Sequence, residues 1–142
     1  MTATQVDPRP HFTAVNTLLN TVLAPNFAYA IDKIPGTSQN ATEAERTMPL
    51  PNIYAELGVE PRYVPPTGVV SASRRGGWRV TVRCVGRTVN ECLWVIDHVN
   101  TVLRNGRYVV AGDPVRTSFE SGQQPEWDSG RYAALLTFTA AH

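Results

Sequence analysis

The sequence has little of what enzymes, membrane proteins and disulfide-rich domains need. Its 142 residues include two cysteines and three histidines, and thirteen Lys and Arg against twelve Asp and Glu give a formal net charge of +1. Such a small net charge attracts the protein to neither nucleic acid nor an anionic membrane, so any charge-driven function must be local. No apolar run exceeds five residues, whereas a bilayer span needs about 20. The composition therefore predicts a soluble protein with one compact core.

The scarce cysteines and histidines also restrict the chemistry. We expect Cys84 and Cys92 to be free core thiols in a reducing cytosol, and two ligands alone form no zinc site. His11, His98 and His142 are far apart in the chain, and the sequence patterns of zinc proteases, serine hydrolases and phosphate-binding loops are missing. The N-terminus lacks the basic and apolar segments of a secretory leader. We expect no enzymatic activity, no metal or other cofactor, and a cytosolic origin.

Apolar periodicity predicts a first helix and five strand segments. The helix follows Asp7 and Pro8, which resemble an N-cap and first helical residue, and Pro25 ends it. Alternation predicts that Phe27, Tyr29 and Ile31 form the buried side of a first strand. Further strands are predicted over 53–59, 78–85, 107–111 with 115–119, and 132–139, the fourth bent at residues 112–114.

A second helix is predicted from its start signal. Thr88 and Glu91 form a T-x-x-E capping box, in which each side chain satisfies an unpaired backbone donor. Gly106 is expected to end this helix as the C′ residue. Its core-facing side carries an apolar stripe of Cys92, Val95, Ile96, Val99, Val102 and Leu103.

The predicted order αβββαββ favours an α+β fold, because strands and helices do not alternate regularly. We expect one domain over residues 1–142, with a mostly antiparallel or mixed sheet and two helices packed on one face. Long loops are predicted at about 35–51, 61–77 and 121–130. Loops of this length in a compact domain are functional or plain flexible surface, and the sequence leaves both readings open.

An arginine-bearing strand face is the first candidate site. Arg79, Arg83 and Arg87 recur every four residues along one strand and its exit, and Arg74 and Arg75 precede that strand. A phosphate-binding ridge is one hypothesis, although sheet-type RNA readers also need exposed aromatic residues on that face. The favoured alternative is a solvated face, or one paired with acidic groups of a neighbouring subunit.

Trp94 is the second candidate. It lies opposite the apolar stripe of the second helix, and aromatic residues are enriched at protein interfaces. The alternative is that the loop at 35 or the loop at 121 covers Trp94 within the subunit. We therefore treat Trp94 as a candidate interface residue.

The segment from Trp78 to Leu103, WRVTVRCVGRTVNECLWVIDHVNTVL, resembles the signature region of siphophage tail terminator proteins. The shared features are V-T-x-V-G-R-T followed by a helix carrying E, W, D and L. The wider order also fits, with an N-terminal helix, the strand LPNIYAEL, a Pro- and Gly-rich loop and a closing strand. The long loop over 36–48 departs from the family pattern.

The resemblance implies a noncatalytic virion protein of the tail and neck that assembles in the host cytoplasm. It would form a homohexameric ring on the finished tail tube, stop polymerisation of the major tail tube protein, and dock the head-completion or connector protein. DNA would pass through the lumen unread. The interface residues would be Trp94 and the arginines at 74, 75, 79, 83 and 87, and the loops 35–51 and 61–77 would contact the tube. The competing hypothesis is a small nucleic-acid-binding α+β module.

Overall fold

The computed structural model describes residues 7–62 and 77–142, so the predicted loop at 61–77 lies almost entirely outside the described residues. The helices are α1 (Arg9–Leu23), α2 (Glu43–Arg46) and α3 (Val89–Leu103), and a 3₁₀ turn spans Ile31–Lys33. The strands are β1 (Phe27–Tyr29), β2 (Tyr54–Pro61), β3 (Trp78–Gly86), β4 (Arg107–Val110), β5 (Asp113–Gly122), β6 (Glu126–Asp128) and β7 (Arg131–Ala141).

The strands form one mixed sheet in the order β1-β2-β3-β7-β5-β4, and β6 also pairs with β7. Only the β1–β2 pair is parallel among the described strands, and every other pair is antiparallel. This architecture confirms the predicted α+β fold.

The main core lies between the sheet and the helices α1 and α3. Alternate residues of β3 point towards the helices because successive side chains of a strand lie on opposite faces. Val80 and Val82 of β3 pack there with Val15 of α1 and Val99 of α3, all fully buried in one cluster. The two long helices therefore cover the same face of the sheet, as predicted, and the opposite face is called the outer face below.

Helix α3 begins as its capping box predicts. The Glu91 amide donates to the Thr88 hydroxyl at 3.1 Å, and the Glu91 carboxylate accepts from the Thr88 amide at 3.2 Å. The predicted end is wrong, because the helix stops at Leu103 with Arg104 as its C-cap. Gly106 does not have the left-handed backbone of a C′ glycine; it lies so close to the Val102 carbonyl that a side chain would not fit.

The predicted start of α1 is also wrong by one position. Pro8 is the N-cap and Arg9 the first helical residue, although Asp7 still binds a first-turn amide as an N-cap side chain does. Its carboxylate accepts from the Arg9 amide at 3.0 Å and from the Arg9 guanidinium. The exposed ion pair lowers the pKa of Asp7 through these hydrogen bonds.

The predicted burial of β1 is wrong for Phe27, whereas Tyr29 is half-buried on the outer face. Ala28 is buried and points to the helices, whereas Phe27 is 53% exposed. The reason is close packing: Ala28 pairs in register with buried Ala55 of β2, and its amide donates to the side chain of Asn20 in α1 at 2.8 Å. Ile31, predicted as strand, begins the 3₁₀ turn and is 49% exposed.

The predicted loop at 35–51 is ordered and crosses the outer face. Ile34 is buried there with Tyr54 and Val85, and Leu50 packs against the same cluster. The segment also contains α2, the single helical turn that its sequence allows. A second, smaller core therefore lies on the outer face near β1.

Two predictions near the C-terminus need correction. The segment predicted as one bent strand is the hairpin β4–β5, turned at Ala111 and Gly112, which both have positive φ. Pro114 pairs with Val109 in this ladder, and the irregularity lies instead between Phe119 and Ser121. The predicted loop at 121–130 contains β6, which forms a second hairpin with β7.

Candidate assembly surface

The part of the outer face not covered by residues 31–50 displays a row of polar side chains. Arg79 and Arg83 of β3 lie here, between β2 and β7. Their neighbours in register on β7 are Thr139 and Leu135. Both arginines thus lie on the predicted side of the strand.

Arg79 is paired with carboxylates of its own chain. Its guanidinium lies 3.6 Å from Glu120 of β5 and 3.9 Å from Glu60 of β2. The side chain is 40% exposed, so each pair contributes at most about 1 kcal/mol. The pairs neutralise Arg79 locally and leave it little attraction for phosphate.

Arg83 is held more firmly. Its guanidinium donates to the carboxylate of Asp128 in the β6–β7 hairpin, and it also contacts the buried Tyr54. Burial lowers the pKa of Arg83, but the hydrogen bond to Asp128 and the nearby Tyr54 outweigh it, and the net pKa is raised. Arg83 therefore joins β3, β2 and the hairpin. A carboxylate of the same chain therefore already pairs with Arg83.

Arg87 does not join this cluster. Arg87 is exposed at the start of α3, and its amide donates to the Glu91 carboxylate at 2.8 Å. No ion pair of its guanidinium occurs with the described residues. Arg74 and Arg75 lie outside the described residues.

Trp94 is half-buried rather than fully exposed. It packs against the edge of the main core, and its ring lies 4.0 Å from that of His98, with 32° between the planes. The His98 Nδ1 lies 2.7 Å from the Trp94 carbonyl oxygen, so the ring donates there and is fixed in place. The pair forms a rigid aromatic ledge on α3, next to Leu93, which is 44% exposed.

Sequence reasoning missed Trp127, which is the most exposed large apolar residue described, at 63%. It lies on β6, with its ring 5.2 Å from that of Tyr132. A shallow cavity of about 350 Å³ beside it is lined by Arg83, Glu126, Asp128 and Leu135, among others. The short E-W-D segment before Ser129-Gly130 is the signal for this hairpin, since glycine adopts the positive φ of such turns.

Among the described strands, the sheet ends at β1 on one side and at β4 on the other, and each of the two pairs with one neighbour only. The β1 side carries three exposed apolar residues, Phe27, Ile31 and Met48, each about half exposed. At the other end β4 is paired only with β5, and its Val109 is 59% exposed. An edge strand whose free backbone groups and apolar side chains are exposed can pair with another chain.

Metal-ligating side chains do not cluster within residues 7–62 and 77–142. No group of three or more His, Cys, Asp or Glu side chains there could hold a metal ion. Of the buried polar groups, His11 pairs with Tyr108 inside the core, at 2.8 Å between Nδ1 and the hydroxyl oxygen. In this part of the chain no helix is long and apolar enough to cross a bilayer.

Comparison with known proteins adds no relative. No protein-family model matches the chain, and no curated protein matches it at a significant level.

Proposed function

We propose that the protein is a noncatalytic assembly protein that forms a ring, of the kind that ends a siphophage tail tube. The observation that carries the proposal is the pair of edges at opposite ends of one sheet. A closed ring uses a heterologous contact, in which one surface of each subunit meets a different surface of the next. The edges at β1 and β4, which differ from each other and both expose apolar side chains, provide such a pair of surfaces.

The resemblance of the segment from Trp78 to Leu103 supplies the rest of the proposal. The ring would be a homohexamer in the virion neck, with the major tail tube protein on one side and the head-completion or connector protein on the other. DNA would pass through without being read. The ledge of Trp94 and His98 and the exposed Trp127 are the surfaces we assign to partner contacts, because aromatic residues dominate the energy of many interfaces.

The alternative is a nucleic-acid-binding module that uses the arginine face. The ion pairs of Arg79 and Arg83 with Glu60, Glu120 and Asp128 argue against it, because paired arginines release fewer counterions from a phosphate backbone. The outer face therefore favours protein contacts over phosphate contacts.

Light scattering after size exclusion tests the proposal. We expect a particle of six times the 15.6 kDa mass of one chain, formed alone or on addition of purified tail tubes, and tubes of fixed length in its presence. A protein that stays monomeric with tubes present, or tubes that keep growing, would refute the proposal. Binding to duplex DNA at 0.15 M salt, weakening steeply as salt rises, would favour the alternative.

A further inference from the structure

Two arginines face each other at the β4 edge without a carboxylate. Arg107 of β4 and Arg116 of β5 are directly opposite in register, and both are exposed on the outer face. Like charges in this position destabilise a strand pair. Within the described ranges no carboxylate lies within 4 Å of either guanidinium, in contrast to Arg79 and Arg83. The edge therefore keeps an uncompensated positive charge.

This edge has the shape and composition of a contact surface. A hollow of about 150 Å³ lies between the two arginines and Gly106, large enough for a carboxylate. Val109, two residues along β4, adds an exposed apolar side chain. Charged residues on an edge strand can also serve only to prevent aggregation. An exposed valine does not serve that purpose, so Val109 favours a contact surface.

The opposite end of the same sheet has the complementary composition. Residues 31–47, beside β1, carry three carboxylates, Asp32, Glu43 and Glu45, against two cationic side chains. Asp32 and Glu43 are exposed, and Glu45 lies near Tyr29 of β1, whose pKa burial and this carboxylate raise. The nearby chain segment also exposes the apolar residues Phe27, Ile31 and Met48.

The strand directions permit these two edges to meet. β1 is parallel to β2, and each following pair across the sheet is antiparallel, so β4 runs in the same direction as β1. A rotation about an axis along the strands brings β4 of one copy beside β1 of the next, with both strands still parallel. Repetition of that rotation closes a ring.

We infer that the basic β4 edge of one copy binds the acidic β1 side of a second copy, with Arg107 and Arg116 contacting Asp32 and Glu43. This inference rests on the proposed ring and names its subunit contact. A second copy fits better than nucleic acid, because Glu60 and Glu120 on the same outer face repel phosphate, whereas each chain offers one basic and one acidic edge.

A charge-swap experiment on the full chain tests the contact. The double variants Arg107→Glu/Arg116→Glu and Asp32→Lys/Glu43→Lys each place like charges across every joint. We expect each to raise the dissociation constant of the assembly at least about tenfold at 0.15 M salt, since close like charges weaken interfaces strongly. The quadruple variant restores opposite charges and should return to within about threefold of wild type. Thr17→Lys, which adds a charge on the exposed side of α1 rather than at either edge, is the control.

Sedimentation over a concentration series, with circular dichroism to confirm folding, separates the outcomes. Rescue in the quadruple variant supports the contact. Assembly that is unchanged in both double variants, or equally weakened by Thr17→Lys, overturns this contact while the wild-type ring preserves the proposed function. A wild type that stays monomeric even with tail tubes present overturns both. Wild-type binding to DNA that is lost in Arg107→Glu/Arg116→Glu would assign the arginines to phosphate and overturn the inference.

Discussion

At the residue scale, burial makes the two cysteines inert. Cys84 and Cys92 are both 0% exposed and lie in the main core. Burial raises the pKa of both thiols, and the thiolate is the reactive form. The predicted free, buried state of both residues is confirmed.

Their reactivity follows. We expect neither cysteine of the native protein to react with a thiol reagent on the time scale in which both react after denaturation. Absorbance of the released chromophore measures this. A fast phase corresponding to one thiol in the native protein would mean that the strand–helix junction opens readily.

His11 is a buried polar residue on the core-facing stripe of α1, four residues before Val15. It is 0% exposed, with its ring 4.4 Å from Trp78, and its Nε2 has no hydrogen-bond partner among the described residues. Burial, and secondarily the charge of His142, lower its pKa. The same burial raises the pKa of its partner Tyr108 to about 12. The folded state therefore favours the neutral imidazole.

This burial gives the stability a pH dependence of known sign. A histidine with a lowered pKa in the folded state binds fewer protons than it does unfolded. The stability that the buried, neutral His11 contributes is therefore complete above the ordinary histidine pKa of about 6.5. It is lost as the pH falls below that value. We expect the urea midpoint to fall from pH 7 to pH 5, and to fall less in His11→Gln. His142→Gln is the control, with most of the wild-type slope; an equal slope in His11→Gln would contradict this assignment.

At the element scale, α3 was predictable because its signals are local. The capping box and the apolar stripe need only neighbouring residues, so the sequence defined its start at Val89. The burial of β1 was not predictable, since the partner that selects Ala28 over Phe27 is a strand some 25 residues away in the chain. β6 was not predicted either, because so short a segment becomes a strand only through its pairing with β7.

The cap of α3 can be tested by removing its hydroxyl. We expect Thr88→Ala to lower the free energy of unfolding by about 0.5–2 kcal/mol, because the Glu91 amide loses its acceptor. Denaturant melts measure the change. Thr101→Ala, in the exposed last turn of the same helix, should change it by less than about 0.5 kcal/mol. Equal effects of both substitutions would show that the capping box contributes little.

At the scale of the whole molecule, the sequence predicted the fold class and the arginine face but not the strand order. The order decides that Glu60, Glu120 and Asp128 surround Arg79 and Arg83, and that β1 and β4 are the edges. These relations depend on contacts between distant segments, which periodicity does not encode. The sequence alone therefore indicates the row of arginines, whereas the edge strands β1 and β4 and the aromatic ledge are evident only in the folded chain.

The aromatic ledge carries the last prediction. Trp94 both packs on the core edge and stacks on His98, so its truncation removes a surface that a partner could cover. If it is an interface anchor, Trp94→Ala should cost roughly 2 kcal/mol or more per joint. Sizing should then show no full-size ring, while circular dichroism shows a folded monomer.

Some loss of stability is expected in Trp94→Ala, because the indole also contacts the core. Thr88→Ala supplies the control, since it weakens the same helix without changing the ledge and should still assemble. If Trp94→Ala forms full-size rings and caps tubes at normal length, Trp94 contributes only to packing within the subunit. If both variants fail to assemble, the stability of α3 rather than the indole surface limits the ring.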